Sequence, residues 1–271
     1  MAELTRKEII KLIAVIGQPS QGVRLTGVDL SGLDLRGLNF RYADLMQADL
    51  SGANLQRALL SHAHLEHANL ANADLSGADL HHAHAADAIL RNAKLIEAQL
   101  QEADLERADL ELAELYKADL TQARLLTANL RGADLRRVKL VRARLASATL
   151  GGADAQWADF QGAELNDANL DLVVADHANF DGAFLMRASA QEADFRNAQL
   201  REANLTEALL MRIDLSDAKC NRATFRAANL TGAMLINTDL SRAVLRDALL
   251  SEGALLNATL AETTLPDGVR V

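Results

Sequence analysis

Aromatic residues make up only 3% of this 271-residue chain, although 49% of it is apolar. A broad, irregular core is hard to build from that mixture. Leu and Ala supply most of the apolar mass, so the interior must be narrow and regular. A single cysteine, Cys220, excludes an intramolecular disulfide and gives no sign of an oxidising compartment. Long apolar runs are missing too. In the opening stretch MAELTRKEIIKLIAVIGQPS the longest run, Leu12–Ile16, is too short to span a bilayer. Basic residues are the minority, 28 against 37 acidic ones, for a net charge of −9. That balance disfavours nucleic acid and anionic membranes as partners and favours solubility, so a cytoplasmic location is expected. No phosphate-cradling glycine loop, H-E-x-x-H, C-x-x-C or G-x-S-x-G motif is present, so neither an enzyme nor a resident cofactor is expected.

What the chain does have is one period. From Leu25 to Leu265 every fifth residue forms a register of 49 positions, of which 39 are Leu and five are Phe. The remaining five are Ala85, Ala155, Ala175, Ala190 and Cys220. Two residues earlier runs a second register, Val23 to Thr263, in which 39 of 49 are Ala. A period of five matches neither an ordinary helix nor a flat strand. It fits a square coil in which each pentapeptide is one side, the central Leu points inward, and Ala fits the crowded interior near the corner.

The segments ADLMQ, ADLSG, ANLQR, ADLER and ANLTE carry the pattern A-(D/N)-L-x-x, and over residues 21–265 the chain resembles the pentapeptide-repeat family. The resemblance implies an all-β, right-handed quadrilateral parallel β-helix. Four sides per coil give about 12 coils and a rod of roughly 58 Å at ~4.8 Å per coil. Three segments follow: residues 1–20 as a helical cap, 21–265 as the β-helix, and 266–271 as a tail. In the first, TRKE reads as a capping box between Thr5 and Glu8. Ile9, Ile10, Leu12, Ile13, Val15 and Ile16 would cover the open end of the first coil, and Gly17 and Pro19 stop the helix. Wider residues at Val23, Val28, Leu33 and Leu38 suit a flared first coil.

Most Asp and Glu sit at outward positions, where they are expected simply to be solvated. Cys220 lies in the inward register and reads as a small core residue. Three departures from the monotone outer surface remain. One is basic: Arg124, Arg131, Arg136, Arg137, Lys139, Arg142 and Arg144, a solvated charge run or a contact for an anion or partner. Another is apolar: Val174, Phe184, Leu209, Met234, Val244 and Leu249 replace the usual outward polar residue in the C-terminal third. Of these, Leu209, Met234, Val244 and Leu249 are candidates for a homodimer contact, the alternative being a monomer whose tail folds over the last coil. The third is a run of histidines. Residues 20 apart stack, so His62 lies under His82 and His64 under His84, with Glu102 and Asp104 next in line. These six offer nitrogen and oxygen ligands for Zn²⁺ or Ni²⁺. The plainer reading is that the repeat duplicated HAH one coil along.

Two function classes stay open, with a metal- or pH-responsive module as a third. The first is a non-catalytic scaffold that shows its outer faces to an unidentified protein partner. The second is implied by the resemblance, since some pentapeptide-repeat proteins are acidic rods that mimic DNA and bind type II topoisomerases such as gyrase.

Overall fold

The computed structural model describes residues 5–15 and 22–271. They fall into two compact units, Met1–Asp134 and Leu135–Val271, built on the same plan. Each is a β-helix of five-residue sides. The residue before each inward position pairs in parallel with the one 20 places on: Asp44 with His64, His64 with His84 and His84 with Asp104 in the first unit. In the second, Asn169 pairs with Ser189 and Ser189 with Leu209. Four sides thus close one coil.

One side shows how the backbone is satisfied. The Leu45 amide donates to the His64 carbonyl (2.8 Å), Gln47 to Glu66 (3.0 Å), Ala48 to Leu45 (3.1 Å) and Asp49 to Val28 (3.0 Å). The amide of Met46 is left over, and it donates to the Asp44 carboxylate at 3.3 Å. The same bond runs from Ser51 to Asp49 at 3.0 Å and from Gln56 to Asn54 at 3.1 Å. Outward Asp was expected only to be solvated, and Asn stands at the same positions. They are instead the acceptors that satisfy the one amide the ladder misses, and this explains the D/N of the repeat.

The Ala48-to-Leu45 bond closes a β-turn whose second central residue, Gln47, has φ of 57°. Every regular corner repeats this left-handed conformation, which glycine adopts without cost, as at Gly77 (φ 66°). Gly22 is needed for another reason: a Cβ there would lie 1.8 Å from the Tyr42 carbonyl oxygen.

The interior is the stack of inward side chains with Ala between them, nearly all fully buried. Where the second unit inserts aromatics it shrinks their neighbours. Phe160 and Phe180 stack with centroids 4.7 Å apart, and the side before each carries Ala155 or Ala175. Cys220 stands one side before Phe225 in the same way. Its thiol is buried and pushed well above the ordinary range by desolvation, an inert core group. Thr238 and Thr263 occupy Ala positions and satisfy their buried hydroxyls on the carbonyls of Leu215 (2.8 Å) and Leu240 (2.7 Å).

Helix α1 spans Arg6–Val15. Thr5 and Glu8 form the expected capping box: the Thr5 amide donates to the Glu8 carboxylate at 2.7 Å, and the Glu8 amide to the Thr5 hydroxyl at 3.4 Å. The Thr5 hydroxyl, donating to the Glu8 carboxylate at 2.6 Å, and then the Thr5 amide hold that carboxyl below its ordinary value. Ile9 is buried and Ile13 half-buried, whereas Ile10 and Leu12, expected to help cover the coil, are exposed. The side chain of Val15, the covering residue Ile16 and the expected stop at Gly17 and Pro19 lie outside the described residues.

The C-terminal end departs from expectation. Strands β1 (Asn229–Leu230) and β2 (Leu249–Leu250) pair in parallel, after which residues 251–258 leave the five-residue frame. The position where the repeat puts a buried Ala is Gly253, and it takes the left-handed turn itself (φ 74°). Asn237 consequently bonds Asn257, one residue later than the ladder rule requires. The ladder resumes at Thr259, opposite Asp239, and Thr264, opposite Val244. Inward Leu250, Leu255, Leu260 and Leu265 were all expected to be buried, but are only partly so, because no further coil among the described residues covers them. The tail then folds back. Thr264 and Arg270 form an antiparallel bridge, Leu265 donates to Val269 at 2.7 Å and Val271 to Thr263 at 3.0 Å.

Candidate functional site

The histidine seam lies in the first unit and is columnar, as the spacing requires. His62 and His82 stand on one corner, continuing a stack that begins at Tyr42: the Tyr42–His62 centroids are 4.8 Å apart and the His62–His82 centroids 4.9 Å. His64 and His84 stack on the adjoining side at 4.9 Å with planes 9° apart. Next in the columns come Glu102, 3.7 Å from His82, and Asp104, paired with His84 in the ladder. His64 turns instead to Glu66 at 3.4 Å. Stacked rings hold their nitrogen lone pairs side by side, in parallel planes, not aimed at a shared point. Accordingly, among the described residues no three His, Cys, Asp or Glu side chains are arranged to hold a metal ion. Two stacked imidazoles could share an ion only by rotating apart. Burial, followed by the nearby His82 and His84, holds His62 below the ordinary imidazole value, with Asp79 opposing.

The basic residues divide between the units. Arg124 belongs to the first, where it reaches Glu106 at 2.8 Å and Asp104 at 3.8 Å. Arg136, Arg137, Lys139, Arg142 and Arg144 belong to the second. Arg136 pairs with Asp154 at 3.7 Å and Arg144 with Glu164 at 3.3 Å. Lys139 sits mid-face, opposite Asp159 in the ladder. Arg137 and Arg142 are exposed and form no ion pair among the described residues.

The apolar residues do not form one patch. Leu209 and Leu249 share a side with Asn229 between them, Val244 shares another with Phe184, and Met234 shares a third with Val174. Leu209, Met234 and Leu249 are exposed, and Val244 is half-buried. The sequence reading missed Trp157, the only tryptophan, which is 53% exposed at a corner of the second unit and stacks on His177 at 4.1 Å. The signal was available, since the five-residue frame puts position 157 outward.

The first unit also carries an open groove of about 710 Å³ along the corner where Gly37 and Gly77 lack side chains, lined by Arg6, Arg36 and Arg57. Arg6 and Arg36 are already bound to Asp34.

Stacked sides, inward Leu, Ala two residues earlier and turn-bonding Asp or Asn make up a pentapeptide solenoid. A sequence profile for pentapeptide repeats matches the chain in eight copies between residues 21 and 247: 21–52, 53–92, 73–111, 88–125, 113–145, 139–174, 168–206 and 208–247. The chain belongs to the pentapeptide-repeat family. Among solved structures it is similar to HetL, a pentapeptide-repeat protein involved in heterocyst differentiation regulation from the cyanobacterium Nostoc sp. strain PCC 7120. The two share 28% identity over 99% of this chain and 100% of that one, with a TM-score of 0.34. A second similar structure is trypsin-treated QnrB1, a plasmid-mediated fluoroquinolone resistance protein, at 19% identity over 80% and 90% of the two chains and a TM-score of 0.32. Rfr23 from the cyanobacterium Cyanothece 51142 matches 46% of this chain and 65% of its own at 25% identity, with a TM-score of 0.19. Among curated proteins nothing matches. Nothing in the family or in the geometry of the described residues points to catalysis.

Proposed function

We propose that this pentapeptide-repeat protein is a non-catalytic scaffold whose outer faces bind a protein partner in the cytoplasm. One observation carries the reading. At exposed mid-face positions the chain replaces the Asp or Asn that would satisfy a turn amide with residues that cannot accept it in the same way, among them His84, Phe184, Leu209 and Met234. Each such exchange gives up a bond worth about 0.5–1.5 kcal/mol, and the core gains nothing from a side chain that points outward. Side chains kept against the interest of the fold are expected to serve a contact. In this reading about 12 coils present the faces, and α1 caps the first through Ile9 and Ile13. Cross-linking in the native cell followed by capture of the tagged full chain tests the reading. A reproducible protein partner at defined outer residues supports it, and none above a tag control overturns it.

The net charge of −9 favours a second reading, an acidic DNA mimic that binds a type II topoisomerase. Its weakness lies in the surface charges, many of which are neutralised along the columns. Arg187 is held by Asp167 at 2.7 Å, Arg222 by Glu202 at 3.0 Å and Arg242 by Glu262 at 3.1 Å. A gyrase supercoiling assay decides, and no effect at micromolar protein removes this reading. Two subordinate proposals go with the first. A homodimer would use Leu209, Met234, Val244 and Leu249, which sit on three sides, so a Leu249→Asp, Val244→Asp variant compared with wild type by sedimentation tests it. Zn²⁺ or Ni²⁺ at His62, His64, His82, His84, Glu102 and Asp104 requires the stacked rings to rotate, and calorimetric titration at pH 7.5 tests that.

A further inference from the structure

One face of the second unit differs from the others. It is formed by the sides centred on Leu140, Phe160 and Phe180. One edge is the corner column Arg137, Trp157 and His177, and the other is Arg142, Gly162 and Gly182. Along the middle run Lys139, Asp159 and Asn179. Three cations therefore lie at one end of the face, an aromatic pair forms one rim, and glycines leave the opposite rim low. The Arg142 stem lies 3.5 Å from where a Gly162 Cβ would be, so the guanidinium extends along ground the glycine leaves clear. The Asp159 carboxylate accepts at Oδ1 from the Gln161 amide at 3.1 Å and from Asn179 at 2.9 Å, which holds it against the middle of the face.

Trp157 is the odd member. It stands at φ 61°, a conformation that penalises a bulky residue. Its ring lies outside the core, more than half exposed, so the fold gains little from it. Among the described residues Arg137 and Arg142, on the two edges, have no carboxylate partner, whereas Arg136 and Arg144 beside them do. Exposed Trp and unpaired Arg are the residue types that dominate binding energy at protein interfaces.

We propose that this face is the docking surface for a short acidic segment of a partner protein. Its carboxylates pair with Arg137 and Arg142, and an apolar side chain between them lies against Trp157. The inference rests on the scaffold reading above and names the face and the partner's chemistry. Arg is suited to the role because its planar fork takes a carboxylate with two parallel bonds. Charge complementarity favours a peptide over nucleic acid. A phosphate backbone gains affinity by spanning many contacts and would run off three cations onto a chain of net charge −9. A short segment feels chiefly the charges within a Debye length, about 8 Å at physiological salt.

Because Trp157 is the only tryptophan, its emission reports directly on the face. The probe is an acetylated octapeptide of Glu and Asp with a central Phe, titrated into the full chain at 50 mM salt. The expected result is a saturable emission shift with Kd on the order of 10–100 μM. Arg137→Gln with Arg142→Gln should weaken it by about tenfold or more, as should 500 mM salt. Calorimetry with Trp157→Ser, judged against wild type for retained circular dichroism, should show a loss of similar size. No saturation by 1 mM peptide, or affinity unchanged in the double variant, overturns the proposal. So does a stronger response to a dT oligonucleotide or to inorganic phosphate than to the peptide. The broader reading fails separately: if cross-linking captures no partner for wild type, the scaffold is wrong whatever the titration shows. If the double variant captures the same partner equally well, the scaffold stands and this face is wrong.

Discussion

Two stretches of the same five-residue frame, Ala98–Leu110 and Leu250–Leu265, have different structures. In the first, Leu100, Leu105 and Leu110 are fully buried between coils on both sides. In the second, all four inward leucines are partly exposed, the frame slips at Gly253, and Leu256 is 83% exposed. The residues are similar and the neighbours are not. In a solenoid an inward Leu is buried only if the next coil covers it, and the frame holds while a side chain, usually Ala, fills the slot beside the corner. Where that slot lost its Cβ, the backbone took a left-handed turn that Ala would resist.

The sharpest way to break this comparison is an insertion. One Gly added after Leu105 turns every later Leu of the first unit out of register, and we expect that unit's cooperative urea transition to be lost. One Gly added after Gly253, where the frame has already slipped, should leave the transition in place. Truncation comes next in size. Leu105→Ala should cost about 2–5 kcal/mol, the range for a fully buried leucine, while Leu255→Ala should cost under about 1 kcal/mol because its site is half open to water. Equal losses in chemical denaturation would show that the last leucines are as well covered as the middle ones.

The period that makes this contrast testable was legible in the sequence down to single residues: the inward Leu, the Ala two before it, the stacking of His62 under His82, and the core place of Cys220. The capping box at Thr5 and Glu8 was legible for the same reason, being local. Other features depend on three-dimensional bookkeeping that a residue pattern does not display. The role of Asp44 or Asn54 appears only when the amides of a side are counted and one is found without a partner. The slip at Gly253 depends on how the backbone answers a missing Cβ, and the return of the tail on which strand edge the last described coil leaves open. The candidate sites fared unevenly. The 20-residue coil brings the histidines together but stacks their faces, and it sends Leu209, Val244 and Met234 to three different sides. Trp157 stands alone at an outward corner position, and a single exposed indole does not form a run of one residue type as the histidines do.

The tail offers a third comparison. Its hydrogen bonds cover the edge of Thr263–Leu265, an edge that would otherwise be open to another chain. Deleting Pro266–Val271 should speed amide exchange at Leu265, whose partner is the Val269 carbonyl, and leave Leu105 unchanged. A shift toward dimer on sedimentation of the truncated chain would indicate that the tail blocks association. Unchanged exchange at Leu265 would mean that the fold-back contributes nothing.

Mid-face exchanges should be smaller and of opposite sign. Asn54→Ala removes the acceptor of the Gln56 amide, bonded at 3.1 Å, and should cost about 1 kcal/mol. His84→Asn supplies an acceptor where the repeat has none and should gain roughly half that or more. A loss at His84→Asn, measured by urea midpoint, would mean that the imidazole stack is itself stabilising and is not a cost to the fold.

The smallest effect concerns pH and the seam. His62 faces the Tyr42 ring on one side and the His82 ring on the other, with His84, His81 and Asp79 within electrostatic reach and Glu102 beside His82. Burial and the neighbouring histidines hold its pKa below the ordinary imidazole value of about 6.5, the net effect despite Asp79. Unfolding releases it to that ordinary value, so the unfolded chain binds the proton more readily. Stability from this site is therefore complete above about pH 6.5 and declines as the pH falls through it, since acid favours the state that takes up more protons. Lowering the pH from 7.5 to 5.5 crosses this window while staying above the range in which paired carboxylates such as Asp167 and Asp194 titrate, both held below their ordinary values by arginine. Wild type should lose urea midpoint over that interval, and His62→Asn, which keeps a polar side chain at the φ 58° corner, should lose less. An equal loss in both proteins would place the titration elsewhere in the chain and leave the Tyr42–His62–His82 stack without a part in it.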